Sequence, residues 1–541
     1  MDVTANLLQN GEDTKPPAEV HSVIVKSSDG KLHDFTYNTQ TKKLNFALID
    51  DKSRQLTLNI NEILSVRSTK IKLSSGLVNS NVPEDEPNKD IPNVLYIYYG
   101  YKQNVFIWRV RKAALYFSTT NEKKNWESLL KSAVNEVTGR PKKLLIFINP
   151  YGGKRQAKQI YEKQVEPIFK LTDLNCQVIL TERANHAYDI IQELADESWK
   201  AIDGIISVGG DGLFNEIMCS AIVRTQNEAK IDITDLNVDN LTSPHARFGI
   251  IPAGSANSIA SSIHGVDDQV TAAIQIAIGS KTPVDCCTIH EKNSLVRISA
   301  NACSYGWLGQ VMEDSEKFRC LGPIRYQFSA LRTTIKHPTY FGRVSFALNA
   351  PEQDKDLKIP ECTKPCSICD GEEKPDPLMP HHWQTDFTHC IACVIPCVSP
   401  FTKWGLAPYA GVGDGTLDLA LVGKVSRCEN LKIMRTVSLY GGKELVPEQN
   451  ASLKLFRVNR FSFAPAAALG ITRESDPEGD KQGSWNVDGE LIPQKAETLK
   501  FRLRAQLINY FGREVDLEDP RYVKCFCCYS VKKFSKIIVL G

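Results

Sequence analysis

The sequence predicts three folded parts in one chain: a β-rich N-terminal domain, a doubly wound α/β domain and a β-sandwich. Residues 18–140 hold short β-like runs that are closed by one helix. In residues 141–285 apolar runs of strand length alternate with helical patterns, and each run ends in a polar turn. Residues 286–515 alternate apolar and polar positions, which is typical of a sandwich. Residues 1–17 and 516–541 are expected to be a disordered N-terminus and a C-terminal tail.

The net charge and the distribution of apolar residues restrict the kinds of partner that the chain is expected to bind. The chain has 541 residues and a formal net charge of +2, so no global charge favours nucleic acid. The polar N-terminus is unlike a secretory signal, and no apolar stretch approaches the length of a membrane span. We therefore expect an intracellular protein that touches membranes only peripherally. The sixteen cysteines are dispersed and are expected to be mostly buried thiols.

The N-terminal domain begins with β-like runs at residues 20–25, 55–60, 94–99 and 104–108. A helix over residues 121–134 follows, with apolar positions at Trp126, Leu129, Leu130 and Ala133. Several strands closed by one helix with a central tryptophan resemble a pleckstrin-homology domain, and this resemblance implies a β-barrel. That resemblance implies a phosphoinositide head group as ligand, with candidate contacts at Lys26, Lys31, Lys42, Lys43 and Lys70. A solvated basic face explains these lysines equally well.

The α/β domain is organised around residues 203–218. A buried strand of residues 205–208 leads into Gly209-Gly-Asp-Gly212 and then into a helical pattern. Glycines let backbone N–H groups approach a phosphate, and the helix N-terminus adds its positive dipole end. Asp211 repels phosphates unless it holds Mg²⁺ or takes a proton from an attacking hydroxyl. The alternative is that Asp211 caps the following helix.

Three more strands of the α/β domain end in similar turns. Residues 144–148 lead into Asn149-Pro-Tyr-Gly-Gly-Lys154 and a helix over 156–169. Residues 176–180 lead into Thr181-Glu-Arg-Ala-Asn-His-Ala187 and a helix over 188–199. The fourth strand, residues 247–251, leads into Pro252-Ala-Gly-Ser-Ala-Asn-Ser258. Four such turns in one βα series predict a phosphate-binding rim, against the alternative of four ordinary tight turns.

Together, these four ordered motifs resemble the diacylglycerol-kinase-like lipid kinases, a family that includes the sphingosine and ceramide kinases. The resemblance implies that ATP lies in a cleft between a nucleotide domain and a β-rich lipid domain. It assigns ATP contacts to Asn149, Pro150, Tyr151, Gly152, Gly153, Thr181, Glu182, Asn185, Gly209, Gly210, Gly212, Glu216, Gly254 and Ser255. Relatives often carry an acidic residue where this chain has Ser258, so that subsite departs from the family pattern.

In the second half, the resemblance assigns Arg319 and Arg325 to the phosphates and Asp314 to the lipid head group. Relatives often carry an aspartate where this chain has Gln310. Without the resemblance, this segment is equally well a charged exposed helix. The late Asp488-Gly489-Glu490 is assigned to the nucleotide site, with Asp488 near Mg²⁺. Gly413-Asp-Gly-Thr-Leu-Asp418 supports a lid or a metal, or forms a hairpin turn.

A cysteine cluster stands in a predicted insert over residues 351–385. The spacing of Cys362, Cys366 and Cys369 resembles that of the ceramide kinases. These three with His381 or His382 make a better Zn²⁺ ligand set than a set using Cys390 and Cys393, because strand residues three apart face opposite sides. A structural or redox-sensitive cluster is the alternative.

Two further hypotheses are a lipidated tail at Cys525-Phe-Cys-Cys528 and a calmodulin site at residues 431–439, where core packing is the alternative.

The resemblance implies ATP-dependent phosphorylation of a lipid primary hydroxyl, most specifically that of ceramide, with Mg²⁺ bridging the phosphates. Asp211 is the expected general base, and Gly209, Gly210 and Gly212 are expected to line the lipid site with it. Sphingosine or diacylglycerol are alternative substrates, and a degenerate phosphoinositide-binding scaffold is the alternative to an enzyme. The family implies a location at the cytosolic face of the Golgi or plasma membrane.

Overall fold

The computed structural model describes residues 19–513, except residues 29, 52, 54, 75, 76, 78–92, 323, 350–358, 408, 446–451 and 472–482. The predicted disordered N-terminus (1–17), the predicted tail (516–541) and its cysteine motif lie outside the described residues. The described residues divide into two compact units. The first holds those up to Tyr101 together with Val110–Thr138, and the second holds Lys102–Arg109 and those from Gly139 onward.

The first unit is built on an antiparallel sheet in the order β4-β3-β2-β1-β7-β6-β5. Its elements are β1 Val20–Lys26, β2 Leu32–Asn38, β3 Lys43–Leu48, β4 Gln55–Asn59, β5 Ile63–Arg67, β6 Val94–Lys102, β7 Trp108–Tyr116 and the helix α1 Thr120–Asn135. Among the described residues, the edge strands β4 and β5 do not pair with each other. The described strands therefore form an open sheet rather than a closed barrel.

Helix α1 closes the first unit as the sequence predicts. It begins with a capping box, in which the Thr119 side chain accepts from the N–H of Glu122 and the Glu122 side chain accepts from that of Thr119. Trp126 packs on Phe35 with ring centroids 4.7 Å apart. The predicted strand over residues 104–108 was wrong. The Asn104 side chain accepts from the N–H of Ile107 (2.8 Å), which folds these residues into the turn before β7.

The second unit begins with the predicted βα series. Its elements are β8 Lys143–Ile148, α2 Ala157–Ile160, α3 Glu166–Leu171, β9 Asn175–Leu180, α4 His186–Glu193, α5 Asp196–Lys200, β10 Gly204–Gly209, α6 Asp211–Glu228, β11 Arg247–Pro252, α7 Ser258–His264 and α8 Gln269–Ile278. The strands are parallel in the order β11-β10-β8-β9, so their carboxyl ends meet at one edge of the sheet.

Two predicted helices differ in detail. The helix expected over 156–169 is continuous through α2 and α3, with one π turn at Tyr161–Val165 between them. The helix expected over 188–199 is broken into α4 and α5. The guanidinium of Arg224 donates to the carbonyls of Ile191 and Leu194, each at 2.7 Å. Because these carbonyls bond to Arg224, the helix ends there and restarts two residues later.

The remaining residues of the second unit are rich in strands. Their elements are β12 Thr282–Glu291, β13 Ser294–Ser299, β14 Ala302–Gly306, α9 Trp307–Glu316, α10 Ile324–Lys336, β15 Tyr340–Leu348, β16 His381–Cys393, β17 Leu417–Gly423, α11 Arg427–Tyr440, β18 Leu453–Pro465, β19 Ser484–Val487, β20 Glu490–Pro493 and β21 Leu499–Tyr510. The predicted cysteine-rich insert therefore ends sooner than expected, because β16 already begins at His381.

These strands are connected by hydrogen bonds to one another and to the parallel strands. Strand β16 pairs with β15 along its first half and with β17 along its second half, and β18 likewise pairs with both. Strand β21 pairs antiparallel with β12 and β18 and parallel with β11. All strands of the second unit therefore belong to one hydrogen-bonded sheet network, which is a mixed α/β fold. This continuity fixes the carboxyl edge of the parallel strands, where the sequence predicts a phosphate-binding rim, relative to the later strands.

Candidate active site

The predicted nucleotide loops lie side by side at the carboxyl ends of the parallel strands. The N–H of Asn149 donates to the carbonyl of Val208 (3.1 Å), and the N–H of Ala253 donates to that of Gly209 (2.8 Å). The ladder between the strands thus continues into the turns that follow β8 and β11. These bonds hold three of the four polar turns at one place.

Glycine is required where these turns touch. A Cβ on Gly254 would lie 2.5 Å from the Cα of Gly210, and a Cβ on Gly153 would lie 2.5 Å from the carbonyl oxygen of Ala253. A Cβ on Gly212 would have no heavy atom within 4 Å, so there is empty space beside the backbone at this position. Helix α6 receives no side-chain cap at Gly210. The arrangement offers a bare backbone surface and an uncapped helix N-terminus, which suits phosphate groups.

Asp211 reaches across to helix α7. Its two carboxylate oxygens accept from the N–H groups of Ser258 and Ile259, each at 3.0 Å. The carboxylate therefore caps α7, not the helix α6 that Asp211 begins. Burial raises the pKa of Asp211 to about 6, although these two hydrogen bonds lower it, and the charges of Asp488 and Asp267 add to the rise. The side chain is a base whose pKa lies close to neutral pH.

The outer turns carry the other predicted ATP contacts. The side-chain oxygen of Asn149 accepts from the N–H of Tyr151 (2.9 Å), which shapes the turn after β8. Thr181 is buried, and its hydroxyl donates to the last carbonyl of β8 (3.3 Å). Glu182 and Ser255 are exposed. Pro150, Gly152 and Asn185 lie in the same turns. The structure therefore gathers these residues at one edge, with Thr181 below the surface.

Glu216 serves a second helix N-terminus. Its carboxylate accepts from the N–H groups of Ala187 (2.7 Å) and Tyr188 (3.3 Å) at the start of α4. Asn185, the N-cap residue of α4, makes no side-chain cap and has φ 59°. In this structure Glu216 thus replaces the missing cap of α4. The first turns of α6 supply carboxylates to both neighbouring helices and leave their own N-terminus open.

Asp488 is buried and surrounded by hydrogen-bond donors. Its oxygens accept from the side chains of Asn215 (2.9 Å) and Ser299 (2.6 Å) and from the N–H groups of Ala300 (2.8 Å), Asn301 (3.1 Å) and Ala302 (3.0 Å). These bonds tie the turn between β19 and β20 to helix α6 and to the turn between β13 and β14. Gly489 follows with φ 95° and completes the turn.

Glu490, two residues after Asp488, pairs with Arg297 of β13. Both members of the late acidic motif are therefore engaged by protein groups in this structure, Asp488 by donors and Glu490 by a guanidinium.

Asp314 of α9 is the predicted lipid contact. It is 3% exposed, and it lies 3.7 Å from Nε of Arg332 and 3.9 Å from Nζ of Lys317. Its Oδ2 atom has no hydrogen-bond donor in reach among the described residues. Gln310, which replaces the aspartate common in relatives, accepts from the hydroxyl of Tyr340 (2.9 Å). Asp314 is thus a buried carboxylate whose charge faces Arg332 and Lys317.

Of the two predicted arginines, Arg325 has a described side chain. Arg325 of α10 pairs with Glu316 (3.4 Å) and donates to the hydroxyl of Tyr326 (2.7 Å). A phosphate contact at Arg325 would have to replace Glu316. The side chain of Arg319 lies outside the described residues.

The segment from Gly413 to Asp418 forms a tight turn before β17. The Asp414 side chain accepts from the N–H groups of Gly411 (2.8 Å) and Thr416 (3.1 Å). Asp418 is buried and accepts from the N–H of Tyr409 (2.7 Å), and burial raises its pKa to about 6. The predicted alternative of a turn fits these bonds, which occupy both carboxylates locally.

Two family models match this chain: the diacylglycerol kinase catalytic domain over residues 143–289 and the ceramide kinase C-terminal domain over residues 302–528. Ceramide kinase 1 of Caenorhabditis elegans is 45% identical over 504 residues, which cover 92% of this chain and 88% of that protein. The ceramide kinases of Mus musculus and Homo sapiens are 33% and 32% identical, and each match covers 73% of this chain and 78% of the relative.

The chain belongs to the ceramide kinase family. The family resemblance that the four turn motifs and the cysteine spacing predicted is confirmed. Membership makes this chain a lipid kinase, and it implies ATP and a divalent metal ion.

Sequence reasoning about this family member missed Asn301. Its N–H donates to Asp488 (3.1 Å), and its side-chain oxygen accepts from the hydroxyl of Ser258 (3.0 Å) and the thiol of Cys397 (3.1 Å). Asn301 thus links the helix that Asp211 caps to the turn that Asp488 holds. The residue stands alone after an alternating run, so no local pattern marks it.

Asn257 was also missed, although a signal was present. It lies at the start of α7 with φ 49°, and its side-chain oxygen accepts from the N–H of Gly254 (2.8 Å) while its amide donates to Asp267 (3.1 Å). Asparagine tolerates the left-handed region better than most residues. Its place between a glycine turn and a helix could have identified it.

The structure brings together Cys362, Cys366, Cys369 and His382. Their ligand atoms all lie within 4.8 Å of one another. Burial opposes ionisation of Cys366, but hydrogen bonds from the backbone at Cys369 and Ile368 and from neighbouring thiols lower its pKa. Cys390 and Cys393 are buried on β16 and do not belong to this set. Three thiols and one imidazole at this separation fit a tetrahedral zinc ion.

Two regions correspond to the predicted sites for a phosphoinositide and for calmodulin. The first unit has a cavity of about 400 Å³ whose lining includes Ser27, Ser28, His33 and Lys112. The predicted calmodulin stretch lies in α11, where Ile433 packs in a small core and Leu431 is exposed. Among the described helices, none has both the length and the apolar character needed to cross a bilayer.

Proposed function

We propose that this chain transfers the γ-phosphoryl group of ATP to the primary hydroxyl of ceramide, giving ceramide 1-phosphate and ADP. The observation that carries the proposal is the match to proteins named ceramide kinases, of which that of Caenorhabditis elegans extends over 92% of the chain. The open backbone at Gly212 and the uncapped N-terminus of α6 support it, because they suit the phosphates of ATP. Magnesium would arrive as part of the MgATP substrate.

Asp211 is our proposed general base. The hydroxyl oxygen of the lipid attacks the γ-phosphorus, the bond from that phosphorus to the ADP oxygen breaks, and the hydroxyl proton passes to Asp211 and then to solvent. Each oxygen of Asp211 accepts one N–H from α7, so each keeps a second lone pair for that proton. A pKa of about 6 leaves the carboxylate mostly ionised near neutral pH.

We assign Asp488 to positioning rather than to Mg²⁺. Both of its oxygens already accept hydrogen bonds from Asn215, Ser299 and three backbone N–H groups, so a metal ion would have to displace them. Asp314 is proposed to accept from the amide or a hydroxyl of ceramide, which would replace its contact with Arg332. Arg319 and Arg325 are proposed to stabilise the transferring phosphoryl group.

The test measures transfer from radiolabelled ATP to ceramide, sphingosine and diacylglycerol in mixed micelles, with the full chain. We expect ceramide to be the preferred acceptor. A clear preference for either other lipid would contradict the substrate assignment and keep the lipid-kinase activity. Turnover with none of the three would favour the alternative of a phosphoinositide-binding scaffold.

We also propose that Cys362, Cys366, Cys369 and His382 hold a structural zinc ion, which would fix the loop before β16. Elemental analysis of the purified full chain should find about one equivalent of zinc per chain. Cys366→Ser should lose it, whereas Cys428→Ser, at an exposed thiol of α11, should retain it. A chain that contains no zinc and whose melting temperature ignores added zinc would contradict the site.

For the N-terminal residues we propose a pleckstrin-homology-like domain over 18–140 that binds a phosphoinositide head group near its cavity. The division of the remaining chain at residues 141–285 and 286–515 is likewise a proposal. Together with a lipid substrate, such a domain supports a peripheral position on a membrane. Binding to vesicles with and without phosphatidylinositol bisphosphate would test it, and equal binding would contradict it.

A further inference from the structure

Helix α10 presents the reverse of the usual surface pattern. Four large apolar side chains, spaced by four, three and four residues, point outward and are between 44% and 66% exposed: Ile324, Phe328, Leu331 and Ile335. We name them the apolar stripe. The buried positions of the same helix are instead Ser329, Thr333 and Thr334. A surface helix normally buries its apolar face, so this helix keeps its apolar face for a partner.

Contacts with α9 explain how α10 holds this orientation. Arg325 pairs with Glu316 at 3.4 Å, and Arg332 lies 3.7 Å from Asp314. These charged groups lie between the two helices, while the small hydroxyl side chains allow close packing. The helix is therefore anchored through polar contacts on one side, and the apolar stripe remains outside.

The charge around the apolar stripe indicates the chemistry of its partner. Residues 313–336 carry five basic residues, Lys317, Arg319, Arg325, Arg332 and Lys336, against three acidic residues, Glu313, Asp314 and Glu316. Arg325 pairs with Glu316, and Asp314 lies near Lys317 and Arg332, so a basic excess remains at this helix. The chain as a whole is close to neutral, so this basic excess is local. An apolar helix face next to basic side chains suits the interface of an anionic bilayer. A second copy of the chain would bring the same positive charges together, which disfavours self-association through this face.

We propose that α10 is a membrane-docking helix that lies in the interface of an anionic lipid bilayer with the apolar stripe inserted. The inference rests on the proposed function and deepens it, because ceramide resides in a bilayer. Helix α10 packs against α9, which carries Asp314. Docking through the apolar stripe would therefore bring the helix with the proposed lipid contact to the membrane surface.

The test compares the full chain with Leu331→Glu/Ile335→Glu in sedimentation with vesicles of phosphatidylcholine, with and without phosphatidylserine. The matched control is Val178→Glu/Leu180→Glu, which alters two exposed apolar residues of β9, each 42% exposed. We expect the stripe variant to lose about ten-fold or more in binding and the control to stay within about two-fold of the parent. Phosphatidylserine should strengthen binding of the parent, and salt should weaken it.

A second measurement separates docking from catalysis. Both variants should phosphorylate a water-dispersible short-chain ceramide normally, and only the stripe variant should fail on long-chain ceramide in vesicles. Unchanged vesicle binding of the stripe variant, or equal binding of the parent to both vesicle types, would overturn the proposal. Loss of short-chain turnover, or a dimer that only the stripe variant dissociates, would also overturn it. Vesicle binding without any lipid phosphorylation would contradict the proposed function and leave docking intact.

Discussion

In our proposal, the single side chain of Asp211 has both a structural and a chemical role. Its oxygens accept from the N–H groups of Ser258 and Ile259, so it orients α7, and its pKa of about 6 suits a base. In the sequence, capping and base catalysis are alternatives. In the structure they are compatible, because a carboxylate accepts more hydrogen bonds than the two that α7 donates.

The first prediction concerns Asp211→Asn. An amide oxygen still accepts one N–H from α7, so the chain should fold, but the amide cannot take the lipid proton. We expect kcat to fall by about 10²–10⁴-fold. The measurement is the initial rate of ceramide phosphorylation at saturating ATP and lipid, together with the melting temperature.

The matched control is Asp203→Asn. Asp203 also accepts two backbone N–H groups, those of Lys142 (2.7 Å) and Lys143 (2.8 Å), but at the opposite end of β10. It should lose a similar amount of stability and retain normal turnover. Since a base must be deprotonated, the parent kcat should also fall as pH drops below about 6. Near-normal turnover of Asp211→Asn would contradict its role as the base and leave Asp211 only as the cap of α7.

At the scale of elements, the sequence predicted helices and strands correctly where the pattern that marks them is local. The four βα turns follow apolar runs directly, and the family motifs locate them, so their strands were predicted to within a few residues. Long-range partners could not be predicted. Asp488 was assigned to the nucleotide site by its motif, but its donors at Asn215 and Ser299 are 273 and 189 residues away. No local pattern encodes such contacts.

Two of the differences from expectation have the same cause. The helix over 188–199 has a continuous apolar pattern, and only the guanidinium of Arg224, from another helix, ends it early. Strands β16 and β18 have ordinary alternation, and nothing in that alternation reveals that each changes partner halfway. Tertiary contacts override local propensity in both cases.

The second prediction concerns the turn between β19 and β20. Asp488→Ala removes the acceptor for five donors around a buried site, so the free energy of unfolding should fall by about 3 kcal/mol or more. Asp239→Ala is the control. Its side chain is 80% exposed and pairs with Arg502, so removing it should lower the free energy of unfolding far less than Asp488→Ala does. Urea denaturation measures both, and equal losses would contradict the structural role of Asp488.

Across the whole molecule, burial shifts the pKa of a histidine and that of an aspartate in opposite directions, so both groups affect stability in the same acidic pH range. Burial lowers the pKa of His264 to about 4 and raises that of Asp285 to about 6. Below pH 6.5 the unfolded chain protonates His264 and the folded chain does not, so acid destabilises the fold. Below about pH 6 the folded chain protonates Asp285 before the unfolded chain does, which stabilises the fold.

The third prediction is that variants at these two sites change acid stability in opposite directions. His264→Leu is a mild change, because both ring nitrogens are buried without hydrogen-bond partners among the described residues. It should reduce the loss of unfolding free energy between pH 7 and about pH 4.5 by about 2 kcal/mol. Asp285→Asn should increase that loss. Denaturation at several pH values measures both, and shifts of the same sign would contradict the assignment.

The parallel strands of the second unit have a neighbouring strand that is synthesised much later. Tyr510 of β21 pairs with Phe248 of β11, and the N–H of Phe511 donates to the carbonyl of Phe248 (2.7 Å). During translation, β11 therefore leaves the ribosome long before its neighbour exists, and its open edge is exposed to wrong partners. The order of synthesis delays completion of this sheet until residue 511 has emerged, so a chain that stops short of it leaves that edge of β11 unpaired.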